Sequence, residues 1–422
     1  MIKHLLALSI TVLISIANQT KAQQTIRCGT TEVMQQYSAK HPEYVQKRAE
    51  IESRILDFIA RGQAKGVQQQ IVIPVVVHVI YNTDEENISD EIVQSQIEVL
   101  NQDYSYTNPD KGNVPLPFQQ YAADCQISFC LAGVDPSGNY TNGIIHKQTA
   151  ATEFTTEDKM KSSNTGGDDP WPCEKYLNIW VCDLANGYLG YTFQPGADCS
   201  IDGVVIDSKH FGVNGDLGGN YNLGRTTTHE VGHWFNLNHP WGNNGSNDQC
   251  LDDDGVGDTP HSPGPNYNCK NFPNNVSLTC LNSPYGDMFM NFMDYSYDNC
   301  MYFFTQGQKA RMVAAVNTSR PSFLEFTNCT VGVGEMEINA NKISTYPNPT
   351  NGMVNFSFQN ELKTQAFTVT LTDVLGQKVY SIHKPVSQHS VEIQTLSLQE
   401  GNYFAQISSD KVNVVKKVVV IR

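Results

Sequence analysis

The sequence contains little positive charge and few charged residues of any kind. Its 422 residues include 28 Lys and Arg against 43 Asp and Glu, so the formal charge is −15, and charged residues make up only 17% of the chain. Such a chain offers no basic surface for nucleic acid or for an anionic membrane. Beyond its N-terminal segment it also lacks an apolar run long enough to span a bilayer. Neither a nucleic-acid partner nor a transmembrane segment is therefore expected.

Core-forming residues, by contrast, are plentiful. Hydrophobic residues make up 40% of the chain, with 19 Tyr and 18 Phe, which argues against a disordered or collagenous protein. Because a domain usually has ~100 to 200 residues, the length predicts two or three units. The 11 cysteines, an odd number, predict disulfide pairs and one remaining thiol if the chain is exported.

The first 22 residues have the features of a secretory signal peptide. Lys3 precedes an apolar run at residues 5–16, and the small residues Thr20 and Ala22 stand just before the expected cleavage site. The alternative is a buried or membrane-spanning helix, but the run is shorter than the ~20 residues that a bilayer needs. Export would place the cysteines in an oxidising compartment, where disulfides form.

The next segment, residues 23–62, is polar and helical in pattern. Ile51, Ile55, Leu56 and Ile59 are spaced as one face of a helix. The basic, glycine-flanked stretch at 61–66 follows. It is either a site of proteolytic processing or an ordinary interdomain linker.

The region after this stretch predicts strands interleaved with helices. Strands are expected at 71–81, 125–132, 176–182 and 203–207, which are rich in β-branched and aromatic residues. A helix should begin after Ser89, because Asp90 and Glu91 suit its first turn. This pattern predicts an α+β domain.

Beyond Cys329 the composition and the residue pattern of the sequence change. Residues 331–343 resemble a linker, and residues 344–422 alternate apolar and polar residues between turn signals. The last region contains no cysteine and no cluster of histidines or carboxylates that suggests chemistry. It predicts a small all-β sandwich without an active site.

The residues THEVGHWFNLNH at 228–239 predict a zinc site. On a helix, His229 and His233 lie one turn apart on one face, so both imidazoles can reach a single ion. His239 supplies a third nitrogen if the helix ends before it. Asn236 suits that ending because asparagine tolerates the left-handed conformation. Three nitrogens with an open fourth position describe a catalytic zinc ion.

Glu230 directly follows the first of these ligands. Its carboxylate can hydrogen-bond a zinc-bound water, accept its proton and pass that proton to a leaving amine. A structural zinc would not need this carboxylate. The alternative is a chance HExxH match on a solvated helix, which does not account for the third histidine at its offset.

These residues resemble a known family. HEVGHWFNLNH is similar to the zinc signature HExxHxxGxxH of the metzincin metallopeptidases, with Asn236 at the position of the usual glycine. NFMDY at 291–295 resembles their methionine turn, with Met293 as the floor under the zinc. Longer stretches, such as YLNIWVCDLANGYLGYTFQPG, resemble the pappalysin family over about residues 25–325. The resemblance implies a twisted mixed sheet with long helices and an irregular lower subdomain.

The pappalysin resemblance also implies roles for residues near the methionine turn. Tyr295 would stabilise the tetrahedral intermediate of peptide hydrolysis, as a phenol donor beside a developing oxyanion can. Asp298 would form the base of the pocket for P1′, the residue after the scissile bond, and bind Arg or, less well, Lys there. The alternative for Asp298 is a surface turn residue.

An acidic, glycine-rich loop follows the predicted zinc helix. Its carboxylates are Asp248, Asp252, Asp253, Asp254 and Asp258. Dense carboxylates suit calcium, which related enzymes bind here, although the pattern is not an EF-hand. The alternative is a solvated acidic loop.

The family resemblance pairs Cys250 with Cys280 and Cys269 with Cys300. Enough cysteines then remain for three bridges of undetermined pairing: Cys125, Cys130, Cys173, Cys182, Cys199 and Cys329. Cys28 is the leftover thiol. By the resemblance it is a latency switch, a thiolate that takes the fourth zinc position in a precursor. The alternative is that Cys28 pairs with another cysteine.

The C-terminal region resembles the sorting domain of type IX secretion substrates. The similar motifs are YPNPTNG at 346–352, DVLG at 373–376, GNY at 401–403 and KKVV at 416–419. The resemblance implies contact with that secretion machinery. The predicted order is a signal peptide at 1–22, a pro-segment at 23–62, a catalytic domain at 63–330, a linker at 331–343 and a sorting domain at 344–422.

The predicted activity is that of a secreted zinc endopeptidase, made as a latent precursor, that acts on protein or peptide substrates. Two alternatives are a non-catalytic secreted protein that keeps zinc structurally and another zinc hydrolase such as an aminopeptidase. Glu230 and Tyr295 argue against the first, because a binding protein needs neither. The methionine-turn context argues against the second.

Overall fold

The structure is a computed structural model. It describes residues 25–65, 70–139, 141–213, 215, 217, 219–242, 250, 252–274, 280, 284–325, 329, 343–359, 366–373, 377–385, 389–408 and 413–422. The predicted signal peptide, nearly all of the predicted linker, Asp248 and part of the DVLG motif lie outside these residues. Within the described ranges, no helix has both the length and the hydropathy that a membrane crossing requires.

The helices and strands follow one another in the predicted alternation. The α-helices are α1 (Thr30–Lys40), α2 (Pro42–Ala60), α3 (Asp90–Tyr104), α4 (Leu116–Gln119), α5 (Arg225–Trp234) and α6 (Gln306–Ser319). The strands of the first sheet are β1 (Ile71–Tyr81), β2 (Ile127–Leu131), β3 (Ile144–Gln148), β4 (Leu177–Cys182), β5 (Gly190–Thr192) and β6 (Val204–Asp207). The remaining strands are β7 (Ile343–Tyr346), β8 (Met353–Phe358), β9 (Phe367–Thr372), β10 (Lys378–Lys384), β11 (Ser390–Gln394), β12 (Gly401–Ser408) and β13 (Asn413–Val420).

The first sheet is mixed and has the strand order β2-β1-β4-β6-β5, and β3 also pairs with β1. Its pairings are parallel except that of β5 with β6. β1 and β4 are almost wholly buried, which suits parallel strands covered on both faces and explains their β-branched sequences. β5 ends the strand order, so one edge of its backbone is available to another extended segment. The α+β prediction is confirmed.

The two long helices at the N-terminal side differ in how well the sequence predicts them. α3 begins after Ser89 with Asp90 in its first turn, as predicted, although the Ser89 side chain does not cap the helix. On α2, Ile55 is fully buried and packs against α6. Leu56, which the sequence places on the same helix face, is 50% exposed. It follows Ile55 directly, and successive residues point about 100° apart on a helix.

The C-terminal strands form two antiparallel sheets with the orders β10-β9-β12-β13 and β11-β8-β7. Alternate residues of both sheets enter one hydrophobic core, with Val354 and Phe356 from one sheet and Val369 and Ile407 from the other. Two sheets that share a core in this way confirm the predicted all-β sandwich.

The disulfides confirm two predicted pairs and contradict the prediction of a fifth bridge. The disulfides are Cys130–Cys329, Cys173–Cys199, Cys250–Cys280 and Cys269–Cys300. The last two confirm the pairs that the family resemblance implies. The expected third bridge among the other six cysteines is wrong, because Cys125 and Cys182 are buried free thiols in separate hydrophobic clusters. A buried thiol of this kind packs as a small hydrophobic side chain.

Candidate active site and metal centre

The end of α5 brings the third predicted ligand back to the first two. Asn236 has a φ of +73°, the left-handed conformation that the sequence predicts. Its amide donates to the His233 carbonyl at 2.8 Å, and the Leu237 amide donates to the Gly232 carbonyl at 3.0 Å. These are the two hydrogen bonds of a Schellman turn. The turn reverses the chain and returns His239 to the helix.

The three predicted ligand histidines meet at one point. The Nε2 atoms of His229 and His233 are 3.1 Å apart. The Nε2 atom of His239 is 3.0 Å from that of His233 and 3.3 Å from that of His229. Ligand nitrogens about 2.0–2.1 Å from a tetrahedral zinc ion are about 3.3 Å from one another. The donor set and its spacing therefore fit zinc.

Backbone carbonyls orient two of these rings. The Nδ1–H group of His229 donates to the Phe292 carbonyl and that of His233 donates to the Leu237 carbonyl, both at 2.8 Å. Burial lowers the pKa of His233 to about 4 and also lowers the pKa values of His229 and His239 well below the ordinary value. Neutral rings that donate through Nδ1 leave their Nε2 lone pairs for a metal ion.

Met293 lies directly beneath α5, in the predicted methionine turn. It is fully buried, and its amide donates to the side-chain oxygen of Asn291 at 2.9 Å. A Cβ atom added to Gly232 would lie 2.5 Å from the Met293 sulfur. The close approach of the methionine turn to α5 therefore depends on glycine at position 232.

We expect Gly232→Ala to weaken zinc binding by roughly tenfold, because overpacking of a core costs about 1–3 kcal/mol and the displaced atoms lie beside the ligands. A competition titration of the processed protein with a chromogenic chelator measures this affinity. Adding Met293→Val, which shortens the side chain below the helix, should restore most of the binding. Wild-type affinity in Gly232→Ala alone would contradict the prediction.

Glu230 is fully buried beside the histidines. Its Oε2 atom accepts a hydrogen bond from the Thr30 hydroxyl at 2.8 Å, and that hydroxyl accepts one from the Thr192 amide at 3.0 Å. Its Oε1 atom makes no hydrogen bond of ordinary geometry to the described residues, although the Cys28 thiol is near. Burial raises the pKa of Glu230 to about 7, which suits a group that accepts and returns a proton.

The segment before α1 lies along residues 187–192, which include β5, and reaches the histidines. The Ile26 amide donates to the Gly187 carbonyl at 2.8 Å, and the Gly29 amide donates to the Gly190 carbonyl at 2.9 Å. Between these bonds, Cys28 is buried and forms no disulfide, so the alternative that it pairs is wrong. Its sulfur and the nitrogens of the three histidines all lie within 4.8 Å of one another.

Asp298 is buried in a short turn, Asp298–Cys300, and is not a surface residue. Its Oδ2 atom accepts hydrogen bonds from the Leu223 amide at 2.9 Å and the Arg225 amide at 3.3 Å. Its Oδ1 atom accepts one from Nη2 of Arg27 at 3.3 Å. Arg27 is not among the residues predicted from the sequence, although it directly precedes the predicted switch cysteine.

Aromatic rings enclose the histidines on the side of Tyr295. The Tyr295 ring lies 5.0 Å from that of His239 and 5.6 Å from that of His229. Trp241, which the sequence analysis missed, stacks on His239 at 4.6 Å with 4° between the ring planes. Burial is the main cause that raises the pKa of Tyr295 well above its ordinary value. The phenol therefore keeps its proton and can donate a hydrogen bond.

Two side-chain networks that the sequence analysis missed hold α5 at its ends. At the start, Arg225 donates to both carboxylate oxygens of Asp110 at 2.6 and 2.8 Å. At the end, the Asn236 side chain accepts from Arg48 at 2.5 Å and donates to Glu52 at 3.1 Å. The asparagine that departs from the metzincin pattern is thus a contact for α2. These hydrogen bonds join residues that are distant in sequence, so no local sequence pattern predicts them.

The carboxylates of the acidic loop are bound separately by protein groups. Asp254 accepts from the Thr259 hydroxyl at 2.8 Å, and Asp258 accepts from the Thr305 hydroxyl at 2.6 Å. Across the described part of the chain, the groups that could hold a metal do not include these carboxylates. Calcium binding at this loop stays a prediction.

The histidine triad, the buried glutamate beside it and the methionine below it, on this α+β scaffold, define a metallopeptidase of the metzincin class. The family profile described as "Pregnancy-associated plasma protein-A" matches residues 161–317. The profile "Secretion system C-terminal sorting domain" matches residues 344–421.

Individual proteins agree with these profiles. An extracellular metalloprotease of Arthroderma benhamiae is 35% identical over 243 residues, which are 56% of this chain and 68% of that protein. The structure of mature mirolysin from Tannerella forsythia with a cleaved peptide is 45% identical with a TM-score of 0.58 over 61% of this chain and 96% of its own. A promirolysin mutant of the same organism is 42% identical with a TM-score of 0.62 over 71% of this chain and 97% of its own.

The chain belongs to the pappalysin family of metallopeptidases. It is a secreted metalloendopeptidase with a type IX sorting domain, and its fold is the predicted metzincin type. The alternative of a non-catalytic zinc-containing protein is not favoured, because the relatives are metalloproteases.

Proposed function

We propose that this chain is the latent precursor of a zinc endopeptidase that prefers Arg, and less strongly Lys, at P1′. The observation that carries the proposal is the position of the N-terminal segment. Cys28 lies beside the three histidines, and the neighbouring Arg27 is buried against Asp298. One segment thus occupies both the fourth ligand position and the pocket that a substrate side chain would need.

In this proposal His229, His233 and His239 hold the zinc ion. When bound, zinc polarises the scissile carbonyl and lowers the pKa of a coordinated water. Glu230 accepts a proton from the attacking water and delivers it to the leaving amine. Tyr295 donates a hydrogen bond to the oxyanion of the tetrahedral intermediate.

A substrate would replace the N-terminal segment along β5. Its extended backbone would pair with the strand edge that now binds Ile26 and Gly29. Its P1′ side chain would enter the pocket now filled by Arg27 and donate to Oδ1 of Asp298. A charge-assisted hydrogen bond of this kind is strong in a buried site.

Each segment of the chain has its own role in this proposal. The signal peptide at 1–22 and the sorting domain at 344–422 serve export, and the linker at 331–343 joins the latter to the catalytic domain at 63–330. Removal of the pro-segment at 23–62 activates the enzyme. This cleavage would occur in the stretch that contains Lys65 and Arg61, of which Arg61 is exposed.

Mapping of cleavage sites tests the specificity. A peptide mixture incubated with the processed protein should be cut before Arg, less often before Lys, and not at all when zinc is chelated. Mass spectrometry of the products measures this. Cuts that lack a basic residue at P1′ would contradict the specificity.

Asp298→Asn should lower kcat/KM for peptides with P1′ Arg by about tenfold to hundredfold, the worth of a hydrogen bond between charged groups. The asparagine oxygen can still accept from the Leu223 and Arg225 amides, so the pocket keeps its shape. Peptides with P1′ Leu are the internal control and should change little. An unaltered preference for Arg in this variant would show that another group recognises it.

A further inference from the structure

We infer that Tyr221 and Thr226 make the Asp298 pocket select arginine over lysine. The inference rests on the proposed function, because Arg27 stands in for the side chain of a substrate. Arg27 is only 1% exposed, so the groups around it are the groups that a P1′ side chain would meet.

The guanidinium of Arg27 lies over an aromatic ring and donates hydrogen bonds from two nitrogens. Its Cζ atom lies 4.8 Å from the centroid of the Tyr221 ring. Nη1 donates to the Thr226 hydroxyl. Nη2 donates to Asp298 at 3.3 Å and lies 3.7 Å from the Met301 sulfur. The contacts with Thr226 and Asp298 need two donors held in one plane, which a guanidinium has and an ammonium lacks.

Asp298 by itself discriminates poorly between the two basic side chains. Its Oδ2 atom is taken by the Leu223 and Arg225 amides, so only Oδ1 faces the pocket. The bidentate pairing that usually favours arginine is therefore not made. A single oxygen can bind an ammonium as well as a guanidinium, so the preference must come from other groups.

A lysine side chain cannot reproduce the contacts of Arg27 with the other two groups. Its ammonium can lie over an aromatic ring, but it is a compact, strongly hydrated charge and loses more hydration there than a guanidinium does. It also lacks the fork that reaches Thr226 and Asp298 from two separate nitrogens. Stacking of a desolvated cation on an aromatic face changes affinity by about tenfold or more.

The Tyr221 ring is held in place by the same segments that hold Asp298. Tyr297 packs edge-on against it, with the centroids 5.5 Å apart and the planes at 82°. The Asp298 amide donates to the Asn220 carbonyl at 3.1 Å. The aromatic wall and the carboxylate are therefore positioned together before a side chain enters.

The test compares two peptides that differ only in Arg or Lys at P1′. In the processed protein, Tyr221→Leu should lower kcat/KM for the Arg peptide about tenfold and leave the Lys peptide within twofold. Tyr221→Phe, the matched control that keeps the ring, should retain the wild-type ratio. An unchanged ratio in Tyr221→Leu, or an equal loss for both peptides in a folded protein, would overturn the inference.

A second measurement leaves Tyr221 intact and uses the full-length precursor. Arg27→Lys keeps the charge but removes the plane, so it should raise basal hydrolysis about tenfold, nearly as much as Arg27→Ala. Latency equal to wild type in Arg27→Lys would overturn the inference even if Tyr221→Leu does not fold. Failure of the proposed function looks different, because a wild-type enzyme that cuts neither basic peptide would overturn both.

Discussion

Glu230→Gln is expected to lower kcat for peptide hydrolysis by about 10²- to 10⁴-fold, the usual contribution of a positioned general acid–base group. Glutamine has nearly the same size, but its amide cannot take a proton from water. Glu230 is fully buried next to the histidines, where its carboxylate can meet the attacking water. Steady-state assays of the processed protein with a P1′ Arg peptide measure the effect.

The Glu230 result depends on the metal site staying intact. Zinc content, measured by atomic absorption, should equal that of the wild type, because backbone carbonyls and not Glu230 orient His229 and His233, and Trp241 stacks on His239. Activity within a few-fold of wild type, with zinc bound, would remove Glu230 from the mechanism.

Cys28→Ala in the full-length precursor is expected to raise hydrolysis roughly 10- to 1000-fold above that of the wild-type precursor. A minor state of a protein is typically populated at about 0.1–10%. If the open form of the wild-type precursor is such a state, it accounts for the residual hydrolysis against which the increase is measured. Loss of the thiol frees the fourth ligand position while the contacts of Arg27 and Thr30 remain. A peptide assay without any processing protease measures the increase.

Cys125→Ala is the matched control for this substitution. Cys125 is also a buried free thiol, but it lies in the hydrophobic core and not among the histidines. Its precursor should stay latent. Equal latency of the Cys28 and Cys125 variants would mean that Arg27 and Thr30 sustain the latent state without the thiol.

Residues close together in sequence were predicted well. The spacing of His229 and His233 follows from the helical repeat, and the left-handed Asn236 follows from the conformational freedom of asparagine. β1 was predicted with its observed limits, since a buried strand needs a continuous β-branched run. In such cases the residues that favour a conformation are the same residues that adopt it, so the sequence alone is enough to predict it.

Predictions that concern partners were less complete. The sequence predicts three bridges of undetermined pairing among six cysteines, yet Cys125 and Cys182 are free and each packs into its own hydrophobic cluster. The sequence places Leu56 on the same helix face as Ile51 and Ile55, but the contact with α6 does not cover it. Disulfide pairing and burial depend on which residues of other elements pack against a side chain. A helical or strand repeat in the sequence contains no information on those residues.

The sequence by itself determined that this chain has a helix with two histidines spaced to reach one metal ion, a third histidine after a turn, and a β-sandwich tail. These features depend on backbone geometry over a few residues. Only the tertiary structure decided that Arg27 lies between Tyr221 and Asp298, and that Thr30 binds Glu230. Those contacts join positions about 200 residues or more apart, and they form because the N-terminal segment pairs with the open edge of β5.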